Sequence, residues 1–318
     1  MMKIIHGAAN FQYIKDRPAL AIALGNFDGL HIAHKRIIDK TREIAKAKNL
    51  KCAAFLLDPH PVKVLFPQSD LFLLSSVAER AEKLDKWGVD YLIIEDFTPE
   101  FSALSPHSFV KDYLAGFLNV SEIIVGYDYS FGFQGQGTPK ELLRWSEEFG
   151  YHVEIMPPVA LGSEVVSSSL IRELILQGEV KAASVYLGDY FSRTGTVVHG
   201  EGRGRHLGYP TANLKTPPGL LLPGNGVYLT LAEWKGKTYF SLTNIGKKPT
   251  FKQDNEIVVE VYLMDFSGDL YGEELTIKFL NRIRKEKYFP EVSLLVKQIK
   301  DDEKKARDLI AEEYAKIL

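Results

Sequence analysis

The feature that most constrains this chain is a change of hydrophobic rhythm near residue 186. Up to about residue 160, short apolar runs at residues 19–24, 52–57, 91–94, 123–125 and 153–156 are separated by stretches of helical spacing, such as 35–48 and 77–87. Strand and helix in alternation predict a parallel sheet covered by helices on both faces. Ligands of such sheets bind beyond the C-terminal ends of the strands. After residue 186 the apolar residues alternate with period two, in runs at 194–198, 227–234, 238–242, 258–264 and 275–280, punctuated by Gly, Pro, Asn and Asp. Closely spaced strands with such turns predict an antiparallel β-barrel, and residues 291–317 read as one or two amphipathic helices. A helical pattern over 170–187 leads up to the join, placed near Leu187-Gly188-Asp189-Tyr190, which gives domains of residues 1–186 and 187–318.

Composition narrows the classes open to such a chain. At 318 residues it is long enough for two domains, each with its own core. Lys and Arg total 39 against 41 for Asp and Glu, a net charge of −2 that supplies no general basic field for nucleic acid. The one cysteine, Cys52, lies in an apolar run, so neither an intrachain disulfide nor a cysteine-based zinc site is available. No apolar run approaches the roughly 18 residues of a membrane span, and no long apolar leader follows the first basic residues. The expectation is a cytoplasmic protein with no nucleic-acid and no membrane partner; composition leaves the oligomeric state open.

The first expected strand runs into Gly25-Asn26-Phe27-Asp28-Gly29-Leu30-His31-Ile32-Ala33-His34, where a helix begins. A strand, a glycine-bearing turn and a helix N-terminus present free N–H groups and a partial positive charge, which suits a nucleotide triphosphate. His31 and His34 add donors for charge developing on a phosphate. Metal binding is the alternative chemistry, but this pair has no third ligand nearby in sequence. A second phosphate-type segment follows at Ser167-Ser168-Ser169-Leu170-Ile171-Arg172, with hydroxyls to cap a helix and an arginine able to bind phosphate bidentately. Helix capping alone would also account for these hydroxyls.

These two segments, with Asp58-Pro59-His60-Pro61 and Val125-Gly126-Tyr127-Asp128-Tyr129-Ser130-Phe131-Gly132, resemble the adenylyltransferase half of the bacterial bifunctional riboflavin kinase/FAD synthetases. The resemblance implies a Rossmann-like nucleotidylyltransferase domain. It also implies that His31 and His34 bind ATP phosphates and the transition state, that Ser168, Ser169 and Arg172 hold the triphosphate, and that Asp128 lies in the active site. Gly25, Phe27, Asp28 and Gly29 belong to the same implied phosphate turn. Ala33 stands where the family usually has Gly, and Ser169 where it often has Thr; neither change bears on the chemistry.

In the second half, Gly200-Glu201-Gly202-Arg203-Gly204-Arg205 precedes Leu207-Gly208-Tyr209-Pro210-Thr211-Ala212-Asn213-Leu214. Such a loop lets backbone approach phosphate, and Thr211 with Asn213 could place two oxygen ligands toward one hard cation; a solvated loop would account for the same Gly/Arg-rich run. This run resembles the riboflavin kinase domain of the same enzymes, and matching segments recur from Gly224 to Phe289. Gly202, Arg203, Gly208, Pro210 and Thr211 thereby become candidate ATP-binding residues, and Thr211 and Asn213 candidate Mg²⁺ ligands. Period-two alternation through Val258-Val259-Glu260-Val261-Tyr262-Leu263 separates Val259, Val261 and Leu263 from Glu260 and Tyr262. The resemblance makes Glu260 the base for the riboflavin hydroxyl, with Arg284 and Phe289 near the flavin. Tyr262 replaces a frequent His, and Asp189-Tyr190 a usual Arg-Pro at the join.

The implied activity is phosphorylation of riboflavin by ATP to FMN in the barrel, then adenylylation of FMN by ATP to FAD in the N-terminal domain. Mg²⁺ is expected at both sites. Two alternatives stay open on the sequence: an adenylyltransferase whose kinase barrel is degenerate, and a flavin-binding regulatory protein.

Overall fold

A computed structural model gives the fold and describes residues 1–200, 208–247 and 257–317. The chain divides into two compact units, Met1–Ser168 and Ser169–Leu318. In the first, six strands, β1 (Lys3–His6), β2 (Leu20–Leu24), β3 (Lys51–Asp58), β4 (Tyr91–Asp96), β5 (Val120–Gly126) and β6 (His152–Met156), form one sheet in the order β1-β4-β3-β2-β5-β6. Every pairing in it is parallel. A short antiparallel pair, β7 (Ala160–Leu161) and β8 (Glu164–Val165), follows it in the chain. The central strand β2 is buried along its whole length. Leu20, Ile22 and Leu24 enter one core with Phe11, Phe55 and Phe109, while Ala21 and Ala23 face the other with Ile38, Ala54 and Leu56. The two small residues let helix α1 (Ile32–Ala47) lie close on that face.

Strand order reverses at β2: the chain runs outward through β3 and β4 on one side and through β5 and β6 on the other. Crossovers leaving on opposite faces open a crevice at the C-terminal ends of β2 and β5, where ligands of open α/β sheets bind. The edge strand β1 is absent from the sequence expectation because its Lys3-Ile4-Ile5-His6 is too short to show a period. Helix α2 (Val77–Lys86) starts with a capping box between Ser76 and Glu79.

The second unit opens with two helices, α3 (Ser168–Gln177, its first residue in the first unit) and α4 (Val180–Leu187), where the sequence pattern reads as one. The break is at Gly178, whose φ of +82° lies in the left-handed region. Contacts divide the chain before these helices rather than after them, since α4 packs on the barrel strand β14 (Glu274–Lys285). The other strands are β9 (Ser192–Val198), β10 (Ala212–Lys215), β11 (Gly226–Trp234), β12 (Lys237–Lys247) and β13 (Ile257–Leu263). Together they close an antiparallel barrel in the order β10-β13-β12-β11-β14-β9. Helix α5 (Val292–Leu309) continues into a short π-helical turn, Ile310–Tyr314. Its Ala306, with Tyr314 beyond it, covers Val227, Leu229, Leu242 and Leu280.

Cys52 is buried, and burial pushes its thiol up to about 12, so it is an inert core residue. Among the described residues no helix is long and apolar enough to cross a membrane.

Candidate active sites

After β2 the chain turns through Gly25 to Leu30, with Phe27 (φ +52°), Gly29 (φ +83°) and Leu30 (φ +43°) all left-handed. Non-glycine residues adopt that region only when their surroundings hold them there. Here the hold comes from the segment before α2. The buried Asp28 carboxylate accepts from the Leu74 amide (3.1 Å), the Ser75 amide (3.0 Å) and the Ser75 hydroxyl (3.3 Å), while the Gly29 amide donates to the Ser75 hydroxyl (2.9 Å). A Cβ on Gly29 would stand 2.7 Å from Leu74 Cδ1, so the turn closes only around glycine. Arg80, fully buried, donates from Nη1 to the Asn26 carbonyl at 2.6 Å. Burial holds its guanidinium below the usual arginine range, against the pull of Asp28, Asp58 and Glu79.

His31 is the N-cap of α1: its Nδ1 accepts from the His34 amide at 3.3 Å. A neutral ring used this way carries its proton on Nε2 and can donate from there. The two imidazoles stack with centroids 3.6 Å apart, and Phe27 meets His34 edge-on at 5.3 Å. Burial, then His31, Arg80 and Lys83, hold His34 well below the usual histidine range, so its ring is neutral. Its Nδ1 is buried without a hydrogen-bond partner.

A cavity of about 290 Å³ lies at the C-terminal ends of β2, β5 and β6. Gly25, Phe27, His31, His34, Asp128 and Ser168 all line it, so residues from both sequence motifs meet at the crevice that the topology creates. Asp128 is exposed there, on the turn after β5. Ser168 donates its hydroxyl to the Asp28 carbonyl at 2.9 Å, tying the start of α3 to the phosphate-type turn. Ser169 and Arg172 follow on α3 within the second unit. Sequence reasoning missed Arg80 and the Leu74-Ser75 clamp; both act through the turn's backbone, which leaves no motif of its own.

In the barrel the candidate residues are joined by strand register. Asn213 on β10 pairs with Glu260 on β13, Glu260 with Asn244 on β12, Asn244 with Val227 on β11, and Val227 with Arg284 on β14. Directly opposite residues share a face, with Cβ atoms about 5 Å apart. Asn213, Glu260, Asn244 and Arg284 therefore form one row around the outside of the barrel, interrupted by Val227. Asn244 is the member that sequence reasoning missed; alternation along β12 gives its face, but register alone gives its neighbour. Gly200 abuts the row: a Cβ there would stand 2.0 Å from Asn213 Nδ2.

Gly208 (φ +83°), Pro210 and Thr211 lead into β10, and Tyr209 meets Tyr262 edge-on at 5.2 Å. Arg284 donates from Nε to both Asp302 carboxylate oxygens on α5 (3.0 and 2.9 Å), and its guanidinium lies 5.5 Å from the Phe289 ring centroid. The two candidate flavin residues are thus together. Gly202 and Arg203 lie outside the described residues. Among the described residues no three or more His, Cys, Asp or Glu side chains cluster as a metal cage.

A switch-point crevice with imidazoles at a helix N-terminus, and a barrel bearing a carboxylate between two carboxamides, define a two-unit protein of phosphate chemistry. Comparison with known proteins makes this specific. The family model for FAD synthetase matches residues 14–170, and that for riboflavin kinase matches residues 187–310. The bifunctional riboflavin kinase/FMN adenylyltransferase of Listeria monocytogenes is 38% identical over 91% of this chain and 92% of its own length. That of Bacillus subtilis is 34% identical over 96% of this chain and 97% of its own. A crystal structure from Streptococcus pneumoniae, described as a macrolide-efflux protein, superposes with a TM-score of 0.87 at 33% identity, covering 96% of this chain and 98% of that one. The chain belongs to the family of bifunctional riboflavin kinase/FMN adenylyltransferases, and it carries both the FAD synthetase and the riboflavin kinase domain.

Proposed function

We propose that this cytoplasmic enzyme makes FMN on the barrel and FAD in the α/β crevice, with residues 1–186 serving adenylyl transfer and 187–318 serving the kinase. In the first reaction the riboflavin 5′-hydroxyl oxygen bonds to the γ-phosphorus of ATP as the β,γ-bridging P–O bond breaks. Glu260 orients that hydroxyl and takes its proton, and ADP leaves. Asn213 and Asn244 stand on either side of Glu260 in register. Arg284 and Phe289 hold the flavin, and Gly202, Arg203, Gly208, Pro210 and Thr211 hold ATP.

The oxygens offered here are hard: the Asn213 carbonyl opposite Glu260, the carboxylate itself, and the Thr211 hydroxyl two residues before Asn213. This set fits Mg²⁺, which takes one or two protein ligands and completes its shell with water and substrate phosphates rather than with a protein cage. Thr211 and Asn213 would hold the ion, which when bound shields the phosphate charge.

In the second reaction an FMN phosphate oxygen bonds to the α-phosphorus of ATP as the α,β-bridging bond breaks, and pyrophosphate leaves. No protein nucleophile is needed. His31 donates from Nε2 and His34 stands neutral beside it at the N-terminus of α1, where charge on the leaving group is stabilised. Ser168, with Ser169 and Arg172 on the helix it begins, holds the triphosphate. Asp28 and Gly29 act by shaping the turn, and Asp128 faces the reacting nucleotides.

The observation that carries this reading is the meeting of His31, His34, Asp128 and Ser168 in one cavity at the switch point. Incubation of the protein with riboflavin, ATP and Mg²⁺, followed by chromatography of the flavins over time, should give FMN and then FAD. Unchanged flavin, with riboflavin or FMN supplied, would sink the reading.

A further inference from the structure

The cavity of the α/β unit must bring together two polyanions, a nucleoside triphosphate and a flavin monophosphate. Its imidazoles give donors, but His34 is neutral and brings no charge. Among the described residues lining the cavity, Arg36 is the one side chain with a permanent positive charge. Arg80 also lies close to the turn, yet it is wholly buried and its Nη1 is bound to Asn26.

Arg36 sits two residues beyond His34, on a different side of α1. It lies one turn beyond Ala33, which also lines the cavity, and next in the chain to Ile37, another lining residue. The Ile37 side chain reaches within 3.8 Å of where a Cβ on Gly126 would be, which sets this turn of α1 against the end of β5 and its Asp128-bearing turn. The neighbouring cations of the helix are engaged: Lys35 and Arg42 pair with Asp39, and Lys40 with Glu43. Arg36 is exposed and makes no ion pair or hydrogen bond among the described residues, and it does not pair with Asp128 across the cavity. A cation left without a protein partner on the wall of a site for phosphates is available to a phosphate.

We infer that Arg36 is a substrate-binding residue of the adenylyl-transfer site, its guanidinium taking a phosphate group of one of the two nucleotides. The inference rests on the reading of the crevice given above. The chemistry, a charge-assisted and bidentate Arg–phosphate contact, is the same for either nucleotide. Kinetics separate the two sources.

The test uses the full-length protein, with Arg36→Gln and Arg36→Lys beside the parent, and measures FAD formation from FMN and ATP while each nucleotide is varied in turn. Riboflavin phosphorylation by the same preparations reports folding of the remainder of the chain, and hydrogen exchange at the α1 amides reports local folding. Arg36→Gln should raise one KM by roughly tenfold or more, the loss expected for a charge-assisted contact, with Arg36→Lys recovering part of it. A rise in KM for ATP assigns the contact to the triphosphate; a rise in KM for FMN assigns it to the flavin phosphate. If both KM values stay at the parent level in an active, folded Arg36→Gln variant, the inference is wrong while the crevice keeps its role. A parent protein that forms no FAD from FMN and ATP overturns the reading of the crevice itself.

Discussion

In the α/β unit the nitrogen-bearing side chains at the cavity, Asn26, His31, His34 and Arg36, come from one stretch and are faced by Asp128, Ser130 and Ser168 from two others, whereas in the barrel Asn213, Asn244, Glu260 and Arg284 come from four different strands. The first arrangement is local: a left-handed turn is held by Asp28 and Arg80, and the imidazoles follow at the start of a helix. The second is distributed, and the register of the whole sheet keeps the row aligned. Damage should differ accordingly. A change in the turn removes donors aimed at one group, while a change around the row displaces a side chain that its neighbours depend on.

The sharpest break between the two units is expected from His31→Ala. It removes the helix cap and the Nε2 donor together, and adenylyl transfer should fall by about 10²- to 10³-fold while FMN formation from riboflavin is kept. Equal loss of both activities in a folded variant would mean that the two sites are not independent. Glu260→Gln is the reciprocal case. Loss of the proposed base should lower riboflavin phosphorylation by about 10²-fold and leave FAD formation from supplied FMN unaltered. Kinase activity at the parent rate would remove Glu260 from the mechanism.

A subtler probe asks whether the row depends on its border. Gly200→Ala puts a Cβ 2.0 Å from Asn213 Nδ2, so the amide opposite Glu260 must shift. A displacement of this size should cost the kinase roughly tenfold or more, with adenylyl transfer unchanged. An unimpaired kinase would show that Asn213 can shift without consequence, which speaks against its place beside the phosphates.

The same contrast explains what the sequence made legible. The switch from strand-and-helix to strand-and-turn patterning reveals both architectures, because burial of β2 on two faces and period-two alternation in β13 leave direct traces. The imidazoles are readable because they are neighbours in the chain as well as in space. Asn244 beside Glu260 is not, since alternation tells which face a residue occupies and says nothing of which strand lies next to it. Arg80 escapes for another reason: on the page it is one more charged residue of an amphipathic helix, and only the fold shows it buried beneath Asn26. The division of residues 170–187 into two helices turns on Gly178, a residue that a helical pattern tolerates until its left-handed φ is seen.

The smallest effect concerns acid. His34 is held below the usual histidine range by burial first, then by His31, Arg80 and Lys83, whereas its unfolded counterpart titrates near 6.5. Between the two values the unfolded chain binds a proton that the folded chain refuses, so stability rises with pH across that window and is lost as pH falls below about 6.5. Strands β12 and β13 contain no imidazole, so α1 should soften before them. Hydrogen exchange at α1 and β2 amides, compared with β12 and β13 amides at pH 7.5 and 5.5, measures this directly. The exchange of α1 should accelerate more than that of the barrel, and His34→Gln should reduce the difference. If His34→Gln leaves the acid response of α1 as large as before, the sensitivity belongs to another group, and the buried imidazole is not what distinguishes the two units at low pH.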